Sequence, residues 1–183
     1  PYELEKNITK KTKAVILVHM FGYSAKVDEI LKICKKNKIA LIEDASHVHG
    51  AEFKGKKLGT YGEIGVFSLH QRKNLSVGDG GIVVTNKKNI ADRIYRLRSF
   101  GDEELSYNYR MTEFAGALGR SRLNRLNKEN LTRAKNADYL RKKLKKINFI
   151  KVRSPIKNTK AVYYALLLEF DKNYLNLSLK KFI

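Results

Sequence analysis

Three stretches decide the fold: Ala14-Val15-Ile16-Leu17-Val18, the amphipathic run over 26–37, and Ile39-Ala40-Leu41-Ile42-Glu43. The first is continuously apolar and rich in β-branched residues, which suits a strand buried on both faces of a parallel sheet. In the second, Val27, Ile30, Leu31 and Cys34 recur at i, i+3, i+4 and i+7 and mark one buried helix face. The third is another strand. Strand, helix and strand at this spacing make a βαβ unit, with parallel strands and a right-handed crossover. Cys34 is expected in the core of that unit and not as a nucleophile.

Working outward, Gly50, Gly55, Gly59 and Gly62 punctuate a turn-rich segment ahead of a third strand at 64–69. Gly78-Asp79-Gly80-Gly81 forms a turn, and a strand follows at 82–85. A helix is expected over 87–99, with Ile90, Ile94 and Leu97 apolar. Another covers 112–126, with Met111, Phe114, Ala115, Leu118 and Leu126 turned inward, and a long basic helix follows at 128–147. Residues 161–170 read as a last strong strand, and the opening residues read as running into one. The class is α/β, with no internal repeat.

The chain has 183 residues, 43% hydrophobic and 31% charged, enough to bury a core and to exclude disordered and low-complexity classes. No apolar run approaches the about 20 residues that span a bilayer, and no secretory signal is read. A single cysteine excludes an intrachain disulfide framework and points to a reducing, cytoplasmic compartment. The start at Pro1 without Met and the end at Ile183 are read as the limits of a piece of a longer polypeptide.

The formal charge of +20 suggests either a polyanion partner or a broadly solvated basic surface. Position favours the second. Leu140, Leu144 and Ile147 share one helix face, and Arg141, Lys142, Lys143, Lys145 and Lys146 fill the rest without interleaved aromatics. Neither a specific nucleic-acid partner nor a membrane partner is expected.

In open α/β sheets, ligands bind beyond the carboxyl ends of the strands. Three strands here end in polar residues: the first at His19, the second at Glu43-Asp44 followed by Ala45-Ser46-His47, the third at Ser68, five residues before Lys73. The turn His19-Met20-Phe21-Gly22-Tyr23 lacks a Gly-x-Gly-x-x-Gly pattern, which argues against a dinucleotide cofactor. Lys73 lies in a short loop between two buried strands, and a lysine amine is the nucleophile of Schiff-base chemistry. Taken singly, each candidate has a plain structural role. Asp44 would cap a turn, His47 and His49 would be satisfied loop residues, Ser68 would be structural, and Asn108 and Arg110 would be surface residues. His19, His49 and Arg72 carry no assigned role.

The joint pattern changes this. Glu43-Asp44-Ala45-Ser46-His47-Val48-His49-Gly50-Ala51 is similar to the acidic strand-end motif of the DegT/StrS-type sugar aminotransferases. Residues 64–81, Ile-Gly-Val-Phe-Ser-Leu-His-Gln-Arg-Lys-Asn-Leu-Ser-Val-Gly-Asp-Gly-Gly, resemble that family's cofactor-lysine segment. Residues 107–119, Tyr-Asn-Tyr-Arg-Met-Thr-Glu-Phe-Ala-Gly-Ala-Leu-Gly, resemble its interface motif, and the likeness covers nearly the whole chain.

That resemblance implies a PLP-dependent aminotransferase of fold type I. Residues 1–127 would form a partial large domain with a mostly parallel sheet. Residues 128–183 would form a linking helix and the start of a small C-terminal α+β domain. It implies pyridoxal 5'-phosphate as cofactor, held by Lys73 as a Schiff base, with Asp44 pairing the pyridine nitrogen and Ser68 bonding the phosphate. His47 stands where many members have Gln, beside the ring and its phenolic oxygen. Asn108, assisted by Arg110, would reach the cofactor phosphate of a neighbouring protomer, which implies a homodimer with shared active sites. No metal is implied.

The implied reaction moves an amino group from glutamate or glutamine to a keto sugar, nucleotide-linked, in nucleotide-sugar and polysaccharide biosynthesis. Dehydratase relatives carry His in place of the lysine, and Lys73 speaks against that branch. Members are longer and this chain matches their middle, so their N-terminal phosphate turn and ring-stacking aromatic fall outside it. Two rival readings stand: a non-catalytic or regulatory remnant of the same fold, inactive because the N-terminal half of the pocket is missing, and a basic nucleic-acid binder.

Overall fold

A computed structural model describes residues 1–100, 105–171 and 174. The chain opens in a helix, α1 (Tyr2–Asn7), and not in the strand expected there. Glu3 and Glu5 in its first turn and Lys6 in its last complement the helix dipole. The βαβ unit follows as expected: β1 (Ala14–Val18), α2 (Val27–Lys36) and β2 (Ala40–Asp44). β1 and β2 pair in parallel, with Ala14 opposite Ala40 and Val18 opposite Asp44.

Two short strands, β3 (Glu52–Phe53) and β4 (Lys56–Lys57), form a hairpin, and β5 (Ile64–Ser68) returns to the main sheet. β5 lies parallel to β2, with Asp44 opposite Val66. β6 (Gly81–Val84) closes the sheet antiparallel to β5, giving the order β1-β2-β5-β6. The helices α3 (Lys88–Arg98) and α4 (Glu113–Leu144) come next. The two helices expected at 112–126 and 128–147 are thus one, because neither Gly nor Pro interrupts the chain between them. Thr112 caps α4 by accepting a hydrogen bond from the Ala115 amide on its hydroxyl oxygen.

The last elements are short: β7 (Ile150–Val152), β8 (Thr159–Lys160) and β9 (Leu168–Phe170). β8 extends the β3–β4 hairpin and β9 pairs with β7. The continuous strand expected over 161–170 does not form. Tyr163 takes a left-handed backbone (φ 47°), and the segment docks instead on the turn after β1. There the Val162 amide donates to the Gly22 carbonyl and the Ala165 amide to the Phe21 carbonyl. Gly22, at φ 90°, permits this approach, since a Cβ there would collide with the Tyr163 and Tyr164 backbone nitrogens.

The main core gathers Val27, Ile30, Cys34, Leu41, Ala45, Val48, Phe53, Leu58 and Val162. Cys34 is buried there as expected, and burial pushes its thiol pKa up. A second cluster joins Leu69, Leu75 and Val77 of the lysine-bearing loop to Leu126, with Met111 and Ala115 against it. Two expectations fail. Phe114 and Leu118 are exposed, because only the Ala115 and Leu126 side of α4 meets that loop. β1 is not buried on both faces: Val15 and Leu17 pack on the core, while Ile16 and Val18 remain open among the described residues.

Candidate active site

The parallel register brings the carboxyl ends of β1, β2 and β5 to one edge, and four of the expected site residues, Asp44, His47, Ser68 and Lys73, lie at or just beyond it. Two networks hold that edge. Glu43, fully buried, accepts hydrogen bonds from the Gly59, Tyr61 and Gly62 amides and from His19 Nε2. His19 in turn accepts from the Ala25 amide on Nδ1, which fixes its proton on Nε2. Burial acts to raise the Glu43 pKa, but the His19 and glycine-amide hydrogen bonds outweigh it and hold the carboxyl below its usual range. Sequence reasoning noted Glu43 only as a polar strand end and gave His19 no role. Both turn out to be scaffold, anchoring the turns on either side of Asp44.

Asp44 ends β2 and accepts on Oδ1 from the Ser46 amide. Its other carboxylate oxygen accepts no hydrogen bond among the described residues. His47 accepts from the Phe21 amide on Nδ1, so its ring proton sits on Nε2. Burial lowers the His47 pKa, the Lys73 cation lowers it further, and the Asp44 carboxylate opposes both. Lys73 and Asp44 thus act on the same imidazole with opposite sign. They form no ion pair with each other among the described residues.

Lys73 is half-buried, with its amide bonded to the His70 carbonyl. Its Nζ makes no hydrogen bond among the described residues and lies 5.1 Å from the centre of the Tyr164 ring. Tyr164 also stacks on His47, with centroids 4.2 Å apart and planes 5° from parallel. Sequence reasoning missed Tyr164, since the near-continuous apolar run of 161–170 made it look like a strand residue.

Ser68 ends β5, and its Oγ accepts from the His70 amide, leaving its hydroxyl proton free to donate. His49, also without an assigned role, donates from Nε2 to the Ser68 carbonyl and leaves Nδ1 buried without a partner. Burial depresses its pKa to about 4, with Lys73 and His47 adding to the effect and the Ser68 hydrogen bond opposing it.

Asn108 and Arg110 do not join this cluster. They are exposed and bonded to each other, Arg110 Nε donating to Asn108 Oδ1 at 3.3 Å. Arg110 lies over Phe100, and the neighbouring Tyr107 and Tyr109 stack on each other. Among the described residues there is no grouping of acidic, histidine and cysteine side chains suited to a metal, and no helix is long and apolar enough to cross a membrane.

The uncommitted groups fit pyridoxal phosphate one for one. In kind, a lysine amine suits its aldehyde, a carboxylate oxygen would suit its pyridinium N–H, a hydroxyl proton its phosphate, and an imidazole N–H its phenolic oxygen. The mostly parallel sheet and its likeness to solved pyridoxal-phosphate enzymes place the chain in the fold-type I class. Within that class, the chain belongs to the DegT/DnrJ/EryC1/StrS aminotransferase family, whose profile matches residues 1–181.

The chain is 35% identical, over 181 residues, to UDP-4-amino-4,6-dideoxy-N-acetyl-beta-L-altrosamine transaminase of Campylobacter jejuni, covering 90% of this chain and 48% of that protein. Two solved structures superpose closely. S. venezuelae DesV, in complex with a ketimine intermediate, gives a TM-score of 0.86 at 30% identity, covering 91% of this chain and 47% of DesV. E. coli GDP-4-keto-6-deoxy-D-mannose-3-dehydratase, with bound hydrated PLP, gives 0.88 at 26% identity, covering 98% and 52%. The chain spans between about a third and a half of the length of the curated relatives it matches.

Proposed function

We propose that this chain carries the cofactor-lysine part of a PLP-dependent aminotransferase that moves an amino group from glutamate or glutamine onto a nucleotide-linked keto sugar. The observation that carries this reading is a lysine whose Nζ makes no hydrogen bond among the described residues and lies over the Tyr164 ring stacked on His47, near the strand end where Asp44 keeps one carboxylate oxygen without a hydrogen bond.

When bound, pyridoxal phosphate supplies an electron sink for the pair released as a substrate Cα–H bond breaks. Lys73 Nζ would be the nucleophile that holds the cofactor, and its free amine would serve as the base and acid for the proton at substrate Cα. Asp44 keeps the proton on the pyridine nitrogen. His47 Nε2–H donates to the phenolic oxygen, and the Ser68 hydroxyl donates to the phosphate. Tyr164 covers His47 and the lysine amine, excluding water from that side.

A lysine at position 73, where dehydratase relatives carry His, favours amino transfer over dehydration. Residues 1–127 serve as the large-domain part and 128–183 as the start of the small domain. In the assembled enzyme, a cytoplasmic homodimer, Asn108 and Arg110 reach the partner's cofactor phosphate. The test is Lys73→Ala and Lys73→Arg in the protein that carries this chain, assayed for amino transfer from glutamate to a nucleotide-linked keto sugar. Both variants should lose turnover while keeping the fold, and near-normal turnover in either overturns the reading.

A further inference from the structure

One buried pair of side-chain amides lies beside the site and has no part in the chemistry above. Asn74 directly follows Lys73 and is 5% exposed; Asn130, in the middle of α4, is 6% exposed. Asn74 Nδ2 donates to the Val162 carbonyl at 3.1 Å and to Asn130 Oδ1 at 3.4 Å. Asn130 Nδ2 donates to the His49 carbonyl at 2.9 Å. Gly50, at φ 83°, makes room for this contact, since a Cβ there would stand 3.1 Å from Asn130 Nδ2.

The two backbone carbonyls gripped by the pair, and Asn74 itself, are each one or two residues from a side chain of the site. Asn74 adjoins Lys73, His49 lies two residues past His47, and Val162 lies two residues before Tyr164. The side chains of Lys73, His47 and Tyr164 are the ones that meet. Leucine has the same number of side-chain heavy atoms in the same branching, so filling space alone gives no reason for amides here. An amide pair fixes direction as well as volume, because each hydrogen bond holds its partner carbonyl along one line.

We propose that Asn74, acting through Asn130, is a positioning residue that sets the Lys73 amine against His47 and Tyr164. This rests on the Lys73 reading above. The clasp determines how the lysine loop, the histidine loop and the tyrosine segment sit together, and no donor or acceptor of it needs to touch cofactor or substrate.

The test compares wild type with Asn74→Leu, which keeps volume and removes both donors, and with Asn130→Asp, which keeps the acceptor for Asn74 and removes only the donor to His49. Three readouts are taken: the acetic-anhydride labelling rate of Lys73 relative to Lys36 without cofactor, amide exchange over 161–165, and pyridoxal phosphate affinity from borohydride-fixed adduct at Lys73. The clasp predicts that Asn74→Leu changes the Lys73:Lys36 ratio severalfold, speeds exchange at 161–165 and weakens cofactor binding roughly tenfold. Asn130→Asp should fall between it and wild type. Should Asn74→Leu fail to fold, Asn130→Asp decides by the same readouts.

A role in stability alone would lower the thermal midpoint and leave the Lys73:Lys36 ratio and the local exchange of the folded protein unchanged; that result overturns the proposal. If wild type gives no adduct at Lys73, the aminotransferase reading fails, and the labelling ratio and exchange still judge the clasp. If wild type gives the adduct and both variants match it in every readout, the clasp alone is wrong.

Discussion

The rings of His47 and Tyr164 lie 4.2 Å apart and 5° from parallel, although one belongs to the loop after the second strand and the other to the chain near the end of the described residues. The Lys73 amine sits 5.1 Å from the centre of the same tyrosine ring. One aromatic residue thus forms a wall against both the lysine and the histidine expected to meet the cofactor.

This relationship makes Tyr164→Ala a sharp probe. Ring stacking contributes about 0.5–1.5 kcal/mol and the cation over the ring about 0.5–1 kcal/mol. Removing the ring should therefore weaken pyridoxal phosphate binding by roughly tenfold, while Tyr164→Phe, which keeps the ring, stays within about threefold of wild type. Absorbance titration with the cofactor checks both variants, and equal weakening in both contradicts the wall.

His49 makes stability depend on pH. Its ordinary pKa is 6.5 and its folded pKa is about 4. Between these values the unfolded chain binds the extra proton, so the contribution is complete above about pH 6.5 and is lost as pH falls toward 4. Going from pH 7.5 to pH 5 should cost about 2 kcal/mol through this residue. Urea unfolding of wild type and of His49→Gln at both pH values checks it, the variant showing the flatter dependence.

Glu43 acts in the same direction at lower pH. Its folded pKa lies below the ordinary value, so its contribution is present above the unfolded pKa and lost as pH falls through the folded one. Glu43→Gln replaces an acceptor of four hydrogen bonds by a group with one acceptor oxygen and sets an amide N–H against backbone donors. About 3 kcal/mol of stability or more should be lost. Denaturant midpoints measure it, and an unchanged midpoint would contradict the scaffold role.

The βαβ unit was legible because its signals are local: a β-branched apolar run, an i, i+3, i+4, i+7 stripe, and a second run at the right spacing. The strand-end positions of Asp44, directly after Glu43, and of Ser68 were legible for the same reason, while their roles came only from the family resemblance. Tyr164 was hidden. Its segment is a near-continuous apolar run with Val and Tyr at its start, yet tertiary docking on the Phe21–Gly22 turn overrides that propensity and twists Tyr163 to positive φ. Phe114 fits a helical stripe by period, but α4 meets the core only along the Ala115 and Leu126 side, which period alone does not reveal. The Asn74–Asn130 pair left no trace in the sequence, because buried amides find each other only after distant elements have packed.

Asp44→Asn tests the division of labour at the site. The isosteric amide retains the Ser46 turn and the fold, so the Lys73 adduct should still form. Without the carboxylate to hold the pyridine proton, turnover should fall by roughly a hundredfold or more. Comparing adduct yield with amino-transfer rate separates the two, and unimpaired turnover removes Asp44 from the proposed chemistry.

The most direct measurement is borohydride reduction after addition of pyridoxal phosphate, with peptide mass mapping of this chain and of the longest form of the protein that carries it. The account predicts a pyridoxyl adduct concentrated on Lys73, lost in Lys73→Arg. Adducts spread over many of the lysines, or none on Lys73 in the longest form, would contradict it.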